Sequence, residues 1–234
     1  MPDTAPILTP RLMQIADNIK PCHTVADIGT DHAYLPVYLC MKQKAEYAIA
    51  SDICKGPLSR AEATVRKYHM EEKVTTRLGN GAETLAPKEA DCIVIAGMGG
   101  LMIAEILKDR PDVFGQAKQI LLQPMSSVPE LRSLLFESGY TVLSETLAKE
   151  GQKLYHIFSV IQKPEEEHPT PLDFFFGKNL WKDRPAHFEE YVRKQKRKLT
   201  RMADGLKKSE SADAALRLAE IQALLTILKE ECSC

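Results

Sequence analysis

Apolar and polar positions along the first 163 residues change period repeatedly, between two and about 3.6 residues, as strands and helices in alternation require. "LTPRLMQIADNI" puts Leu12, Ile15, Ala16 and Ile19 on one helical face, behind Thr9 as a cap and Pro10 at the first helical position. "HTVADIG" reads as a strand and "AYLPVYLCMKQ" as the helix after it. "EYAIASDI" and "GPLSRAEATVRKYH" repeat the unit, and "KVTTRLGNG" supplies a third strand. "DCIVIAGMGG" is a short continuous apolar run, as expected of a strand buried on both faces of a parallel sheet. "LMIAEILKD", "KQILLQP" and "SVPELRSLLFESG" continue the pattern. It then breaks, because "YTVLSETLAKEGQKLYHIFSVIQK" predicts two strands joined by a polar turn around Lys149–Gln152. Alternating units closed by a hairpin predict an α/β, Rossmann-like sheet with a terminal antiparallel hairpin strand.

From about residue 164 the composition shifts. "KPEEEHPTP" reads as a proline-punctuated linker, which sets expected domains of 1–163 and 164–234. Two helical patterns follow, broken around Gly205–Ala212, and predict a helical hairpin with coiled-coil character. The second is expected to bury Leu216, Ile221, Leu224, Leu225 and Leu228.

The totals exclude more than they assign. The 234 residues are 44% apolar and 27% charged with a net charge near −1, an ordinary globular balance. No stretch approaches the roughly 20 apolar residues of a membrane span. The N-terminus lacks the basic-then-apolar pattern of a signal peptide, so cytoplasm is the default compartment. The cysteines at 22, 40, 54, 92, 232 and 234 form no CxxC pair and read as reduced, mostly buried thiols. His32, His156 and His187 make no metal-ligand spacing with them, and no metal site is expected.

Chemistry concentrates at the strand ends. "VADIGTDHAYLP" (25–36) stands where a nucleotide-binding chain carries a glycine-rich phosphate loop, yet it holds Asp27, Asp31 and His32 around the single Gly29. Asp31 would repel a pyrophosphate over the helix N-terminus. A cationic ligand without phosphates tolerates these acids, and S-adenosylmethionine, a sulfonium with an α-ammonium group, is such a ligand. The plain alternative is a surface turn capped by Asp31. Asp52 ends the second strand 23 residues past Gly29, the place for a carboxylate that accepts ribose hydroxyls. Asn80–Gly81–Ala82 end the third, where short side chains can meet an adenine edge. "IAGMGG" packs three glycines into residues 97–100, an opening for a methyl acceptor or a tight packing turn. In "LLQPM", Gln123 is an amide able to bond a base edge. Residues 191–208 carry eight Lys or Arg against one Asp, a solvated helix face or a phosphate-contact surface.

With these residues in hand, the chain resembles the TrmK family of bacterial tRNA (adenine-N1)-methyltransferases, which act on position 22 of tRNA. The resemblance is carried by Arg11–Leu12, "DIGTDHAYLP" (27–36), "SDI" (51–53), "GNG" (79–81), "IAGMGG" (95–100) and "LQP" (122–124). It implies a class I methyltransferase fold with S-adenosylmethionine lined by Arg11, Asp27, Gly29, Asp31, Asp52 and Gly81. His32, Tyr34, Ile53, Asn80, Ala82, Ala96, Gly97 and Met98 complete the expected cofactor contacts. Asp31, Met98 and Gln123 are the expected catalytic positions, with Asp31 steadying an emerging cation. The tail, through Arg193, Lys194, Lys196, Arg197, Lys198 and Arg201, is expected to contact tRNA, with no obligate protein partner and a monomer or weak dimer. A methyltransferase of another acceptor and a non-catalytic RNA-binding protein are the competing readings.

Overall fold

The first helix begins where the sequence gives it a start. Thr9 Oγ1 accepts from Leu12 N at 3.4 Å and Pro10 opens α1 (Pro10–Asn18). In the computed structural model, which describes residues 4–165, 168–170, 172–207 and 211–231, the alternation then runs as expected. β1 (Cys22–Ile28), α2 (Tyr34–Met41), β2 (Ala45–Asp52), α3 (Lys55–Lys67) and β3 (Val74–Leu78) are followed by β4 (Cys92–Gly99), α4 (Gly100–Asp109), the short α5 (Pro111–Phe114), β5 (Gln119–Ser126) and α6 (Val128–Glu137). β6 (Thr141–Glu150) and β7 (Lys153–Ile161) form the closing hairpin.

The seven strands lie in the order β3-β2-β1-β4-β5-β7-β6. β1 to β5 are parallel and β7 enters antiparallel to β5, with Leu121 opposite Ser159. Because β6 turns straight back into β7, the hairpin has no crossover helix and its second strand takes the inner place. Two apolar layers sandwich the sheet. Ile15, Leu39, Val65, Val94 and Leu121 fill one face under α1, α2 and α3. Ile28, Ile93, Ile103, Leu131 and Phe158 fill the other under α4 and α6. All five parallel strands therefore deliver their carboxyl ends to one edge.

The first compact unit ends at Arg184, well past the composition change at 164. The cause is a side chain the linker reading does not see. Arg132 on α6 donates from Nη1 to the carbonyls of Phe174 and Phe175 at 2.8 and 3.0 Å, binding a π-helical turn (Asp173–Gly177) to the sheet unit. Phe176 and, on α7 (Lys178–Asp183), Leu180 are fully buried there. Arg132 also pairs with Glu145 Oε1 at 2.6 Å, and His156 Nδ1 lies 2.6 Å from the same oxygen. Burial pushes Glu145 up, but Arg132 and His156 outweigh it and hold the carboxyl below its usual range. Gly177 has φ +90°, and a Cβ there would meet Glu145 Oε2 at 2.5 Å. Only glycine fits.

The second unit runs from Pro185 and consists of α8 (Phe188–Leu206) and α9 (Ala212–Glu231), which pack against one another. α9 buries Ala214, Ile221 and Leu228, seven residues apart, and leaves Leu216 67% exposed. That corrects the expected apolar stripe: Leu216 lies two positions from Ala214, well off the line that buries the helix. Among the described residues no helix is long and apolar enough to cross a membrane. Cys40 and Cys92 are buried, Cys22 is half-buried, and Cys54 is exposed, contrary to the expected burial, because it stands at the N-cap of α3. Cys232, Cys234 and Lys208 lie outside the described residues.

Replacing Arg132 by Met leaves the buried Glu145 without its arginine partner, with only the His156 contact remaining. Chemical denaturation should show a loss of about 3–5 kcal/mol.

Candidate functional site

A cleft opens along the carboxyl edge of β1, β2, β3 and β4. It has two lobes of about 250 and 430 Å3 that share Gly29, Ala96 and Gly97, a size suited to a nucleoside-scale ligand. Arg11, Asp27, Asp31, His32 and Tyr34 line the first lobe. Asp52, Ile53, Asn80, Gly81 and Met98 line the second.

The seam between the lobes is a bulge. β4 slips its register against β5 between Ala96 and Met98, and Gly97 turns out of the ladder at φ +79°. Gln123 restores the lost bond: its Oε1 accepts from Gly97 N at 3.1 Å and from Arg11 Nη1 at 2.5 Å. Its Nε2 donates to Pro124 O at 2.8 Å. With no exposed surface, Gln123 shapes the β4 loop from beneath and does not reach a base edge, which corrects its expected catalytic contact. Arg11 is fixed as well, since its backbone N donates to Glu150 Oε1 at 2.9 Å and its guanidinium lies over Tyr155.

The acids differ sharply in surroundings. Asp27 is buried and accepts from Thr30 Oγ1 at 2.7 Å. Burial pushes its carboxyl up to about 6, against the lowering pull of Thr30 and Arg11. Asp52 accepts two backbone N–H groups, Cys54 at 2.9 Å and Asp31 at 3.2 Å, so its carboxylate is aimed and held at the strand end. Asp31 is exposed and paired with Arg60 Nη2 at 2.6 Å. The guanidinium balances that charge, and Asp31 is therefore a weaker stabiliser of an emerging cation than the sequence suggests.

The glycines divide by task. Gly29 has φ +77°, and a Cβ on it would strike Met98 Cε, so Met98 lies across the turn that the ligand must pass. Gly97 faces the cleft. Gly100 does not: a Cβ there would come within 2.5 and 2.8 Å of the Ser127 and Ser126 carbonyl oxygens. One of the three glycines in the motif thus serves close packing of α4, the alternative left open by the sequence.

Every expected cofactor position lines the cleft except Ala82, which a 3-10 turn (Gly81–Thr84) folds into the apolar layer at 3% exposure. Sequence reasoning missed Thr30, which orders Asp27, and one face of α4 formed by Met102, Glu105, Ile106 and Asp109. The spacing of those four by three and four residues was the available signal. In the second unit, Arg193, Lys196, Arg197, Lys198 and Arg201 are exposed on α8, and Lys194 pairs with Glu190 at 3.1 Å.

Residues 8–158 match the family model described as a methyltransferase domain. The chain is 37% identical over 150 residues to the tRNA (adenine(22)-N(1))-methyltransferase of Bacillus subtilis. The chain belongs to the methyltransferase-domain family. The sequence match takes in 64% of this chain and spans 63% of that curated relative's length. The crystal structure of the B. subtilis M1A22 tRNA methyltransferase TrmK superposes with TM-score 0.85 at 28% identity, covering 96% of this chain and 98% of that one. Streptococcus pneumoniae Sp1610, a putative tRNA (m1A22) methyltransferase solved with S-adenosyl-L-methionine, gives 0.83 at 26% identity, covering 96% and 99%. Both structures match nearly the whole length of this chain.

Two outcomes follow from the site. Gly100→Ala should cost about 1–3 kcal/mol of stability by overpacking, while Gly99→Ala, whose Cβ meets only Ser126 Oγ at 3.4 Å, should be nearly neutral in the same denaturation assay. Because Asp27 holds its proton more tightly folded than unfolded, its contribution favours the folded state at low pH and is lost as pH rises through about 6. Stability of wild type relative to Asp27→Asn should therefore fall, by roughly 3 kcal/mol at most, between pH 4 and 7.

Proposed function

We propose that this protein transfers a methyl group from S-adenosylmethionine to N1 of an adenine in tRNA, at position 22 by likeness to its TrmK relatives. The observation that carries the reading is the two-lobed cleft, acidic around a bare glycine turn, with a held carboxylate at the next strand end. The fit to the cofactor is chemical. Gly29, Gly81 and Gly97 line the cleft and all stand at positive φ, where a residue with a Cβ would be strained. The first lobe offers Asp27 for an α-ammonium group and Arg11 for a carboxylate. The second offers Asp52 for ribose hydroxyls and Asn80–Gly81 for the adenine. A pyrophosphate would meet these acids without an amide cradle, so a dinucleotide fits poorly.

When bound, S-adenosylmethionine supplies an electrophilic methyl on a sulfonium. Adenine N1 has an in-plane lone pair, so the chain needs no strong base and its task is alignment, worth up to roughly 7–11 kcal/mol in well-oriented systems. Arg11 and Gln123 hold the Gly97 bulge still, and the bare Gly97 lets the acceptor come close to the shared seam. N1 lies on the Watson–Crick edge, so the base enters unpaired, at a cost of a few kcal/mol. The exposed basic face of α8 suits sequence-blind contact with the phosphate backbone. Such a protein works in the cytoplasm, as a monomer or weak dimer, with tRNA as its partner.

Transfer of labelled methyl to unmodified tRNA, followed by nucleoside mass analysis, should yield N1-methyladenosine. Asp52→Ala should reduce it at least tenfold through cofactor affinity, since an unpaired ribose loses charge-assisted bonds of about 1.5–3 kcal/mol. Lys196→Glu with Arg197→Glu should weaken tRNA binding and flatten its salt dependence without changing cofactor affinity. Cofactor binding with unlabelled tRNA would overturn the choice of acceptor.

A further inference from the structure

The loop at one side of the first lobe carries two aromatic rings to which the cofactor assignment above gives no task. Asp31 and Ala33 both stand in the left-handed region, at φ 51° and 52°. That conformation is uncommon for residues with a side chain, and at a cleft it points to function. Around them the rings of His32 and Tyr34 are stacked nearly parallel, with centroids 5.3 Å apart and planes 8° from parallel. Both rings line the cleft that holds Gly97, and Tyr34 stays 40% exposed. The pair is braced from behind: His32 Nε2 lies 3.5 Å from Asp31 Oδ2, and Arg60 Nη2 donates to Asp31 Oδ1 at 2.6 Å. Arg60 belongs to α3 and lines neither lobe.

We propose that Arg60 is a positioning residue which, through Asp31, fixes the His32–Tyr34 pair as the stacking platform for the target adenine. The inference rests on the adenine-N1 reading of the cleft. A base freed from its helix offers a flat π face, and aromatic side chains are the groups that receive such a face without reading its sequence. Stacking sets the plane of the base and leaves rotation of the rings as the remaining freedom. The Arg60–Asp31–His32 chain removes that freedom from the far side. Stability does not account for the ion pair, because Arg60 and Asp31 keep 50% and 56% of their side chains exposed, and pairs so exposed contribute little to folding.

The test uses wild type, Arg60→Ala, Arg60→Lys, Tyr34→Ala and the Arg60→Ala/Tyr34→Ala double variant. For each, kcat and KM for unmodified tRNA are measured beside S-adenosylmethionine affinity by calorimetry. Arg60→Ala is expected to keep its melting temperature and its cofactor affinity within about twofold, and to lose about 10- to 100-fold in kcat/KM for tRNA. Arg60→Lys should recover much of that loss. The double variant should be no worse than Tyr34→Ala alone, since both changes remove one platform. In tRNA carrying 2-aminopurine at the target position, emission should stay quenched by stacking on wild type and rise on Arg60→Ala. Wild-type kcat/KM in Arg60→Ala, additive losses in the double variant, or losses that track cofactor affinity would overturn the proposal. A wild-type protein that transfers no methyl to tRNA would instead overturn the functional reading, and the platform with it.

Discussion

A buried carbonyl, Gln123 Oε1, takes one hydrogen bond from Gly97 N and another from the Arg11 guanidinium, and the cleft depends on both. The bulge at Gly97 removes that residue from the β4–β5 ladder, and a freed N–H in the interior is costly unless something accepts it. The neighbouring strand supplies the acceptor from its own side chain. Arg11 then brings α1 to the same point, and its further contacts with Glu150 and Tyr155 bring the hairpin strands there too. One amide, with the arginine it holds, thus joins five elements and leaves the bare Gly97 facing the ligand space.

The electrostatics of the cleft follow from burial more than from the number of acids. Asp27 is deep enough that burial raises it to about 6, a state that a cationic ligand would relieve. Asp52 lies at the strand end with two backbone N–H groups on its carboxylate. Asp31 stands in solvent and is balanced by Arg60. Three aspartates at two strand ends therefore do three different things. A phosphate-binding loop has no use for any of them, which is why the loop after β1 departs from the glycine-rich form.

The far side of the sheet unit is set by a second polar centre. Arg132, Glu145 and His156 are buried together, and Arg132 extends to the carbonyls of Phe174 and Phe175. That reach makes a stretch that looks like the beginning of a tail part of the first unit. Gly177 is the backbone's concession to it, since no side chain would fit beside the ion pair.

The sequence by itself determined the strand and helix alternation, the closing hairpin, and the acids and glycines at the strand ends. These are local or periodic signals: Thr9–Pro10 as a helix start, "DCIVIAGMGG" as a doubly buried strand, and Asp52 at its spacing from Gly29. The candidate pocket was legible for the same reason, because a parallel sheet brings all its strand ends to one edge whatever the loops contain. Only the tertiary structure decided the rest. Gln123 faces inward because a bulge on the adjacent strand needs its oxygen, and Ala82 is lost to the core because a 3-10 turn rotates it. Gly100 is closed by carbonyls from Ser126 and Ser127, and Leu216 is left outside by the line along which α9 packs. Each of these depends on an atom that is distant in sequence or set by a local rotation, and no periodicity in the chain records where such an atom will lie.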